Sequence, residues 1–330
     1  MKLSFRQKTI FFPIIALVLT AGIFFLGWLG GSNQVKEGVE GEINERHENG
    51  FRFISPLLEC QTPASYNNNL SKLEDILNRD IEAALSRGEA SHVSIYLRDL
   101  NNGPWIGINA KEKFSPASLM KVPLLISYLK LAESDPAVLD RRLAARADSG
   151  QVLPQNITPA EELTIGQEYP VSELLERMII FSDNTAAVTL LHNIDEESLV
   201  ATYENFGIEP LNGSENVITV RDYASFFRIL YNASYLNREM SEKALSILSR
   251  SQFKNGLVAG VPESTIVAHK FGERRLTDSL QLHDCGIIYD VPSPYLICVM
   301  TRGSDFSKMS SIIQKVSQDA FDYFQTTKKK

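Results

Sequence analysis

Residues 115–122, SPASLMKV, contain a Ser-x-x-Lys motif at a point where a helix is expected to begin. Ser115 is a favourable N-cap and Pro116 suits the first helical position, so the motif is predicted to lie in the first turn. Backbone N–H groups there have no intrahelical partner, and the N–H of Ser118 is available to bind an oxyanion. Lys121, three residues on, projects from the same face as Ser118.

The chemistry of this motif follows from its two side chains. A serine hydroxyl is a poor nucleophile until a base removes its proton, and a lysine desolvated among apolar residues can act as that base. The same spacing recurs at residues 127–130 and 251–254, but neither copy is predicted to open a helix. Pro123 removes the helical hydrogen bond to the Leu119 carbonyl, and we expect a kink just after the Ser-Lys turn.

Predicted strands lie on both sides of a long helical block. An amphipathic helix over residues 69–86 precedes the first two strands, and helical periodicity dominates from residue 116 to about 251. The five strands are predicted at residues 92–97, 105–108, 266–270, 282–289 and 295–301, and a terminal helix at 306–324. This order predicts an α/β (α+β) fold, in which a five-stranded antiparallel sheet is flanked by helices and carries an inserted all-helical lobe.

The N-terminal region differs from the rest of the chain in charge. The 330 residues are 44% hydrophobic and carry a net charge of -7, which indicates a globular protein and argues against nucleic-acid binding. Residues 10–29 are apolar and long enough to form a transmembrane helix. A cleaved signal peptide is the alternative, but its apolar region is usually only ~7–15 residues. The cations before this run, Lys2, Arg6 and Lys8, predict a cytoplasmic N-terminus.

Three regions are therefore predicted. Residues 1–31 form a cytoplasmic tip and transmembrane anchor, residues 32–66 an extracytoplasmic stalk, and residues 67–330 the main domain. Within that domain the sheet lobe comprises residues 67–115 and 262–330, and the helical lobe residues 116–261. A cleft between the two lobes is the expected position of a binding site.

Two further motifs follow in order along the chain. They are SDN at residues 182–184, between two helical runs, and HKFG at residues 269–272, at the end of a strand. Alone, the first is explained by helix capping and the second by an ordinary edge strand. Together with the helix-opening Ser-x-x-Lys they form the set found in class A β-lactamases and penicillin-binding proteins. From about residue 71 to the C-terminus the sequence resembles the class A β-lactamase-like branch of the penicillin-recognising serine hydrolases.

The resemblance implies roles for the matching residues. Ser118 would be the acylated nucleophile and Lys121 its base, while Ser182 would relay a proton to the leaving nitrogen. Asn184 would hold the substrate amide and Lys270 would supply positive potential. Gly272 and Glu273 would contact the substrate. The oxyanion hole would consist of the backbone N–H groups of Ser118 and Glu273.

Two departures from the family pattern concern the substrate carboxylate. Phe271 stands where the family usually has Ser or Thr, and Cys285 stands where class A enzymes often carry an arginine. A nearby guanidinium can substitute, because it pairs bidentately with a carboxylate. The candidates are Arg274, Arg275 and Arg302, and solvated surface charges are the alternative interpretation.

A third departure concerns deacylation. Class A enzymes use a Glu on a loop after the SDN helix, and here that stretch, residues 206–220, is short. Glu209 and Glu215 are the candidates for activating the water. We expect the shortened loop to hold neither carboxylate over the acyl group, which predicts a long-lived acyl-enzyme as in penicillin-binding proteins.

The cysteines and histidines give little indication of a metal. Cys285 and Cys298 flank a predicted hairpin, and both a cross-strand disulfide and two buried thiols, the usual state, are compatible with that position. His269 and His283 fall on neighbouring predicted strands and are expected to pack against each other. No close ligand spacing is present, so neither a metal nor a cofactor is predicted.

The leading hypothesis is a membrane-anchored serine hydrolase on the outer face of the bacterial cytoplasmic membrane that cleaves β-lactam amides. The first alternative is a D-alanyl-D-alanine carboxypeptidase or endopeptidase acting on peptidoglycan stem peptides. The second is a non-catalytic wall-binding or sensor domain, which the intact motif residues disfavour. A monomer, held at the membrane by its N-terminal helix, is expected.

Overall fold

The computed structural model describes residues 44–48, 50–61, 70–101, 103–147, 162–209, 216–289 and 293–326. These residues belong to one compact unit spanning residues 42–330. The predicted transmembrane segment, residues 10–29, lies outside them. In the described ranges no helix is both long and apolar enough to cross a bilayer.

The central sheet has five antiparallel strands, as the sequence predicts. The strands are β3 (His92–Asp99), β4 (Trp105–Ile108), β9 (Val267–Arg275), β10 (Leu280–Ile288) and β11 (Tyr295–Gly303). Their order in the sheet is β4-β3-β11-β10-β9. Strand β9 was expected to end at residue 270, but it pairs with β10 as far as Arg275, so HKFG lies inside an edge strand.

Six short strands form three two-stranded pairs outside this sheet. They are β1 (Asn44–His47) with β2 (Leu57–Gln61), β5 (Lys113–Phe114) with β8 (Ile218–Thr219), and β6 (Arg142–Ala144) with β7 (Glu168–Pro170).

Helices flank the sheet and fill the inserted lobe. Helix α1 (Ser71–Ser86) precedes the sheet and α8 (Phe306–Thr326) ends the described chain. The lobe contains α2 (Lys121–Ser134), α3 (Val171–Ile180), α4 (Asn184–Leu191), α5 (Glu196–Glu204), α6 (Val220–Tyr231) and α7 (Arg238–Leu248). Short 3-10 turns lie at Ala117–Met120, Pro136–Leu139 and Leu257–Gly260.

The two faces of the sheet contact different hydrophobic cores. On one face, residues such as Ile287 and Met300 pack against the helical lobe. On the other, alternate residues such as Leu282 and Val299 pack against α1 and α8. Because successive strand residues point to opposite faces, the register decides which side chains enter each core.

Part of the predicted stalk packs against the helical lobe. The carboxylate of Glu242, on α7, accepts hydrogen bonds from the backbone N–H groups of Arg52, Phe53 and Ile54 at 3.0–3.2 Å. The side chains of Phe53 and Ile54 are buried in the lobe's core. Residues 52–54 therefore belong to the folded body and not to an extended linker, since their N–H groups and apolar side chains both find partners there.

The register settles the states of the sheet's cysteines and histidines. Cys285 and Cys298 lie directly opposite each other on β10 and β11 and form a disulfide, so of the two states compatible with the sequence the less usual one is present. His269 and His283 do not pack together. His269 lies opposite Gly286 and His283 opposite Gly272, which places the two imidazoles on opposite faces of the sheet.

Candidate functional site

Ser118 lies in the 3-10 turn Ala117–Met120, and helix α2 begins directly after it at Lys121. The predicted cap by Ser115 is not formed, and no side chain caps this turn. The Ser115 hydroxyl instead accepts a hydrogen bond from Arg274 at 2.6 Å. The Ser-Lys pair is thus fixed by contacts to the sheet, where the sequence had suggested a local helix cap.

Pro123 lies in the first turn of α2, and the helix continues unbroken to Ser134. Pro123 therefore does not interrupt the helix, because a residue in the first turn needs no N–H for the helical hydrogen bonds. The Leu119 carbonyl, which Pro123 leaves without a helical donor, accepts a hydrogen bond from the buried Tyr223 hydroxyl at 3.0 Å. A residue on α6 thus completes the turn that carries Ser118.

His283 contacts Ser115, at the N-terminal end of the segment that carries Ser118. Its Nδ1 accepts from the N–H of Thr301 at 3.2 Å, and its Nε2 lies 3.0 Å from the Ser115 carbonyl oxygen. Since a carbonyl only accepts, the proton must be on Nε2 and the imidazole is neutral. Burial lowers the pKa of His283 to about 4, so this arrangement persists at neutral pH.

Two residues of the site have left-handed backbone conformations, which are unfavourable for residues other than glycine. Ala117, directly before Ser118, has φ 51°, and Ser182 has φ 57°. Such conformations cost about 1–3 kcal/mol each and persist only where the surroundings impose them. Ala117 directly precedes the predicted nucleophile, and Ser182 is the predicted proton relay.

Lys121 is the centre of the hydrogen-bonding network. Its Nζ donates to the Ser182 carbonyl at 2.6 Å, to the Ser182 hydroxyl at 3.1 Å and to Oδ1 of Asn184 at 2.7 Å. All three acceptors are uncharged, and only 6% of the lysine is exposed. The SDN motif therefore meets the Ser-x-x-Lys motif through Lys121.

Lys270 approaches the same serine from the sheet. Its Nζ donates to the Ser182 hydroxyl at 3.0 Å and to the Phe271 carbonyl at 2.8 Å, and it lies 4.1 Å from the centre of the Phe271 ring. The side chain is fully buried. The Ser182 hydroxyl therefore bridges two lysine amines, which is the position needed to pass a proton between them.

Burial shifts the pKa of both lysines. Desolvation lowers the pKa of Lys121 to about 7, against the attraction of the carboxylates of Asp183 and Glu273. Desolvation, together with the charge of Lys121, lowers the pKa of Lys270 well below its usual value. A lysine that titrates near neutral pH is able to act as a base, which an ordinary surface lysine is not.

Gly272 and Glu273 bring strand β9 against the Ser118 turn. A Cβ on Gly272 would lie only 2.8 Å from the Pro116 carbonyl oxygen and 2.9 Å from Cγ of Leu119, so this close approach requires glycine. Glu273 follows at the cavity wall. The predicted pair of N–H donors, on Ser118 and Glu273, thus belongs to two segments in direct contact.

A cavity of about 390 Å³ lies over these groups. Five predicted site residues line it, namely Ser118, Lys121, Ser182, Asn184 and Glu273. Lys270 and Gly272 lie directly behind the wall through the contacts given above. All seven predicted residues are therefore brought together at one place.

Of the three arginine candidates, Arg274 lines this cavity. Arg302 donates to Glu112 and to the Lys113 carbonyl, and Arg275 lies over the ring of Phe306. These two guanidinium groups have partners outside the cavity wall. Arg274 is therefore the cation placed to meet an anionic group of a ligand.

Of the two deacylation candidates, the one that the structure describes is not at the site. Glu209 is exposed and does not line the cavity, and Glu215 lies outside the described residues. Among the described lining residues Glu273 carries the only carboxylate. Asn216, which was not among the predicted site residues, also lines the cavity, and its position within the shortened stretch of residues 206–220 was the available signal.

No group of His, Cys, Asp and Glu side chains in the described residues could hold a metal ion. The chemistry that these residues support is that of a serine nucleophile with a lysine base.

Solved structures with the same fold include PBP-A and several β-lactamases. PBP-A is 22% identical with a TM-score of 0.66, and the match covers 76% of this chain and 96% of that one. A β-lactamase from Xanthomonas campestris is 21% identical with a TM-score of 0.65, over 76% of this chain and 98% of that one. At this identity the likeness establishes the fold.

Sequence relationships establish the family. The β-lactamase L2 of Stenotrophomonas maltophilia is 33% identical over 105 residues, which is 32% of this chain. That match spans about a third of the length of the relative. A family model, that of the β-lactamase enzyme family, matches residues 75–324, which contain every residue of the site described above. The chain therefore belongs to the β-lactamase enzyme family of serine hydrolases.

Proposed function

We propose that Ser118 attacks the carbonyl of a β-lactam amide, with Lys121 as the base that removes its proton. The observation that carries this proposal is the state of Lys121. It is buried, donates only to uncharged acceptors and has a pKa lowered to about 7, one helical turn from a serine in the same cavity. These are the conditions under which a serine becomes a nucleophile near neutral pH.

The remaining site residues provide the subsequent steps. The proton taken by Lys121 reaches the leaving nitrogen through the Ser182 hydroxyl, which lies 3.1 Å from Nζ of Lys121 and 3.0 Å from Nζ of Lys270. The N–H groups of Ser118 and Glu273 stabilise the oxyanion that develops on the carbonyl. Asn184 orients Lys121 through its Oδ1 and offers its amide N–H₂ to the substrate.

The substrate carries a carboxylate that Arg274 binds. Arg274 lines the cavity, and its Nη1 donates a hydrogen bond to the hydroxyl of Ser115, three residues before the nucleophile. Phe271 occupies the position at which a hydroxyl would otherwise contact this carboxylate, and its ring stacks on Phe253 at 4.4 Å. A guanidinium therefore replaces the hydroxyl contact in recognising the anionic end of the substrate.

A wall peptidase of the D-alanyl-D-alanine type is the second candidate. Two observations favour it. Glu209 is exposed and away from the cavity, and Glu273 is the only acidic side chain among the described lining residues. Without a carboxylate to activate water, an acyl-enzyme is long-lived. A variant of PBP-A, whose fold this chain shares, forms an acyl-enzyme complex with penicillin G.

The protein is proposed to work outside the cytoplasm, anchored by residues 10–29. The uncharged N-terminal run is long enough to span a bilayer and follows Lys2, Arg6 and Lys8. The disulfide between Cys285 and Cys298 supports an oxidising compartment. The test is extraction of cell membranes with alkaline carbonate. The full chain should stay in the pellet and a chain lacking residues 1–31 should not. Release of the full chain would contradict the anchor.

The test of activity uses the full chain in detergent with a chromogenic cephalosporin and, separately, a fluorescent penicillin. Sustained colour release indicates β-lactam hydrolysis. A stoichiometric burst with a stable adduct on Ser118 indicates the peptidase. Ser118→Ala should abolish both signals, whereas Lys254→Ala, which removes the exposed lysine of another Ser-x-x-Lys copy, should leave both unchanged. The absence of any adduct on the wild-type chain would refute both enzymatic functions and leave the non-catalytic alternative.

A further inference from the structure

A second, smaller cavity of about 80 Å³ lies at the other edge of the sheet. It is formed by α6 together with β3 and β4, and three arginines line it, namely Arg98, Arg221 and Arg228. None of the residues that line the site of Ser118 lines this cavity. We call it the arginine cleft.

The spacing of residues on two elements produces the cleft. Arg221, Ser225 and Arg228 are four and three residues apart, so they share one face of α6. Arg98 lies directly opposite Trp105 in the pairing of β3 with β4, and its side chain is 7% exposed. The helix and the two strands thus contribute opposite walls of positive charge.

Aromatic rings form one side of the cleft. Tyr96 stacks on Trp105 with ring centres 5.7 Å apart, and the guanidinium of Arg221 lies 4.8 Å from the centre of the Trp105 ring. Trp105 is 37% exposed. An exposed indole beside charged donors provides a flat surface for the carbon skeleton next to a bound anion.

Two of the three arginines, Arg221 and Arg228, carry charges that no carboxylate among the described residues pairs with. The protein as a whole carries -7, yet none of the described residues that line the cleft is acidic. Within the described ranges neither Arg221 nor Arg228 forms an ion pair with a carboxylate. The acid closest in sequence, Asp222, accepts a hydrogen bond from Thr219. Like charges at close range repel each other, and an anion between them removes this cost.

We propose that the arginine cleft binds a phosphate group, either free or as part of a glycerol phosphate or a phospholipid headgroup. Guanidinium groups arriving from two walls match the several oxygens of a tetrahedral dianion better than the two coplanar oxygens of a carboxylate. The cavity volume accommodates one such group, while the exposed ring of Trp105 remains available to the glycerol carbons. This site is independent of the proposed acyl-transfer function.

Trp105 provides the measurement, because it is one of only two tryptophans in the chain. The full chain in detergent is titrated with inorganic phosphate, glycerol 3-phosphate or acetate at constant ionic strength, and tryptophan fluorescence is followed. We expect a saturable change with both phosphates and none with acetate. Trp105→Phe should remove the signal. An equal response to acetate, or no saturable response to either phosphate and no arginine-dependent lipid binding, would overturn the proposal.

The double substitution Arg221→Gln with Arg228→Gln should weaken phosphate binding at least about tenfold, because each charge-assisted hydrogen bond contributes strongly. Arg250→Gln, which removes an exposed arginine that follows α7 and pairs with Glu176, is the matched control and should bind as the wild type does. Unchanged binding by the double variant would refute the site. Should that variant fail to fold, Arg228→Lys tests the same wall while keeping its charge, and should bind several-fold more weakly.

Vesicles distinguish the two sources of phosphate. In flotation with phosphatidylglycerol or phosphatidylcholine vesicles, a chain lacking residues 1–31 should bind only the phosphatidylglycerol vesicles if the headgroup is the source. That binding should be lost in the double arginine variant. Saturable binding of the free phosphates without flotation identifies a soluble ligand. Flotation that the double variant retains would count against the cleft as the binding site.

Discussion

Two neighbouring residues of strand β9 place buried side chains on opposite faces of the same sheet, and their surroundings differ. Lys270 faces the helical lobe and donates to a hydroxyl and a carbonyl, with Lys121 sharing the same hydroxyl. His269 faces the other core, where the carboxylate of Asp284 lies 2.8 Å from its Nδ1. Both are almost fully buried.

The difference lies in the partners. On the His269 side a carboxylate is available, and its second oxygen accepts the N–H of Leu257 at 2.9 Å. On the Lys270 side the direct acceptors are uncharged, so burial lowers the pKa of both lysines. A buried titratable group with a carboxylate partner holds the fold together, whereas one with only neutral partners is prepared to exchange a proton.

The largest expected effect comes from removing the base on the lysine side. Lys121→Ala should slow acylation of Ser118 by about 10²–10⁴-fold, the usual contribution of a positioned general base. The free energy of unfolding should change little, because the removal of a desolvated amine offsets the loss of the donor to the Ser182 carbonyl. Acylation is measured with fluorescent penicillin and stability by urea denaturation. An acylation rate within a fewfold of wild type would show that another group is the base.

The next largest effect is expected from removing the carboxylate of Asp284, the partner of His269. Asp284→Ala should lower the free energy of unfolding by about 3–5 kcal/mol, because His269 and the N–H of Leu257 lose their acceptor inside the core. Asp284→Asn, which keeps one acceptor oxygen, should cost less. Acylation per folded molecule should stay close to the wild-type rate, since the pair lies on the face away from Ser118. A stable Asp284→Ala protein would mean that this pair contributes little.

The pH dependence of acylation and of stability tests the titration of Lys121. With a folded pKa of about 7 for Lys121, the neutral amine is the minor form below that pH, and acylation should fall about tenfold per pH unit there. Because the unfolded lysine titrates near 10.5, the unfolded chain binds more protons between pH 7 and 10.5. The free energy of unfolding should therefore gain from this group as pH rises through that window. Both are measured between pH 5 and 10, and a flat acylation profile below pH 7 would contradict the role of Lys121.

Local patterns in the sequence were sufficient to identify the chemistry. Ser118 and Lys121 are only three residues apart, the SDN motif leads directly into α4, and HKFG lies within β9. The five-stranded sheet was likewise predictable, because alternation and turn residues mark each strand.

What the sequence did not show depends on register and on contacts between distant residues. The Cys285–Cys298 disulfide and the opposite orientations of His269 and His283 both follow from strand pairing, which a shift of one residue would change. The contact of Arg274 with Ser115 joins residues 159 apart in sequence. No local pattern distinguishes Arg274 from Arg275, yet the first lines the cavity and the second lies over the ring of Phe306.

The smallest expected effect concerns the Tyr223 hydroxyl, which joins the helical lobe to the Ser118 turn. Tyr223→Phe leaves the buried Leu119 carbonyl without the donor that Pro123 cannot supply, and should lower the free energy of unfolding by about 1–2 kcal/mol. Because this carbonyl belongs to the residue after Ser118, acylation should also slow by a fewfold. Tyr203→Phe is the matched control, since that buried hydroxyl has no hydrogen-bond partner among the described residues. Equal losses of stability and acylation in the two variants would show that Tyr223 acts through packing alone, and a larger loss in Tyr223→Phe would show that its hydroxyl positions the nucleophile.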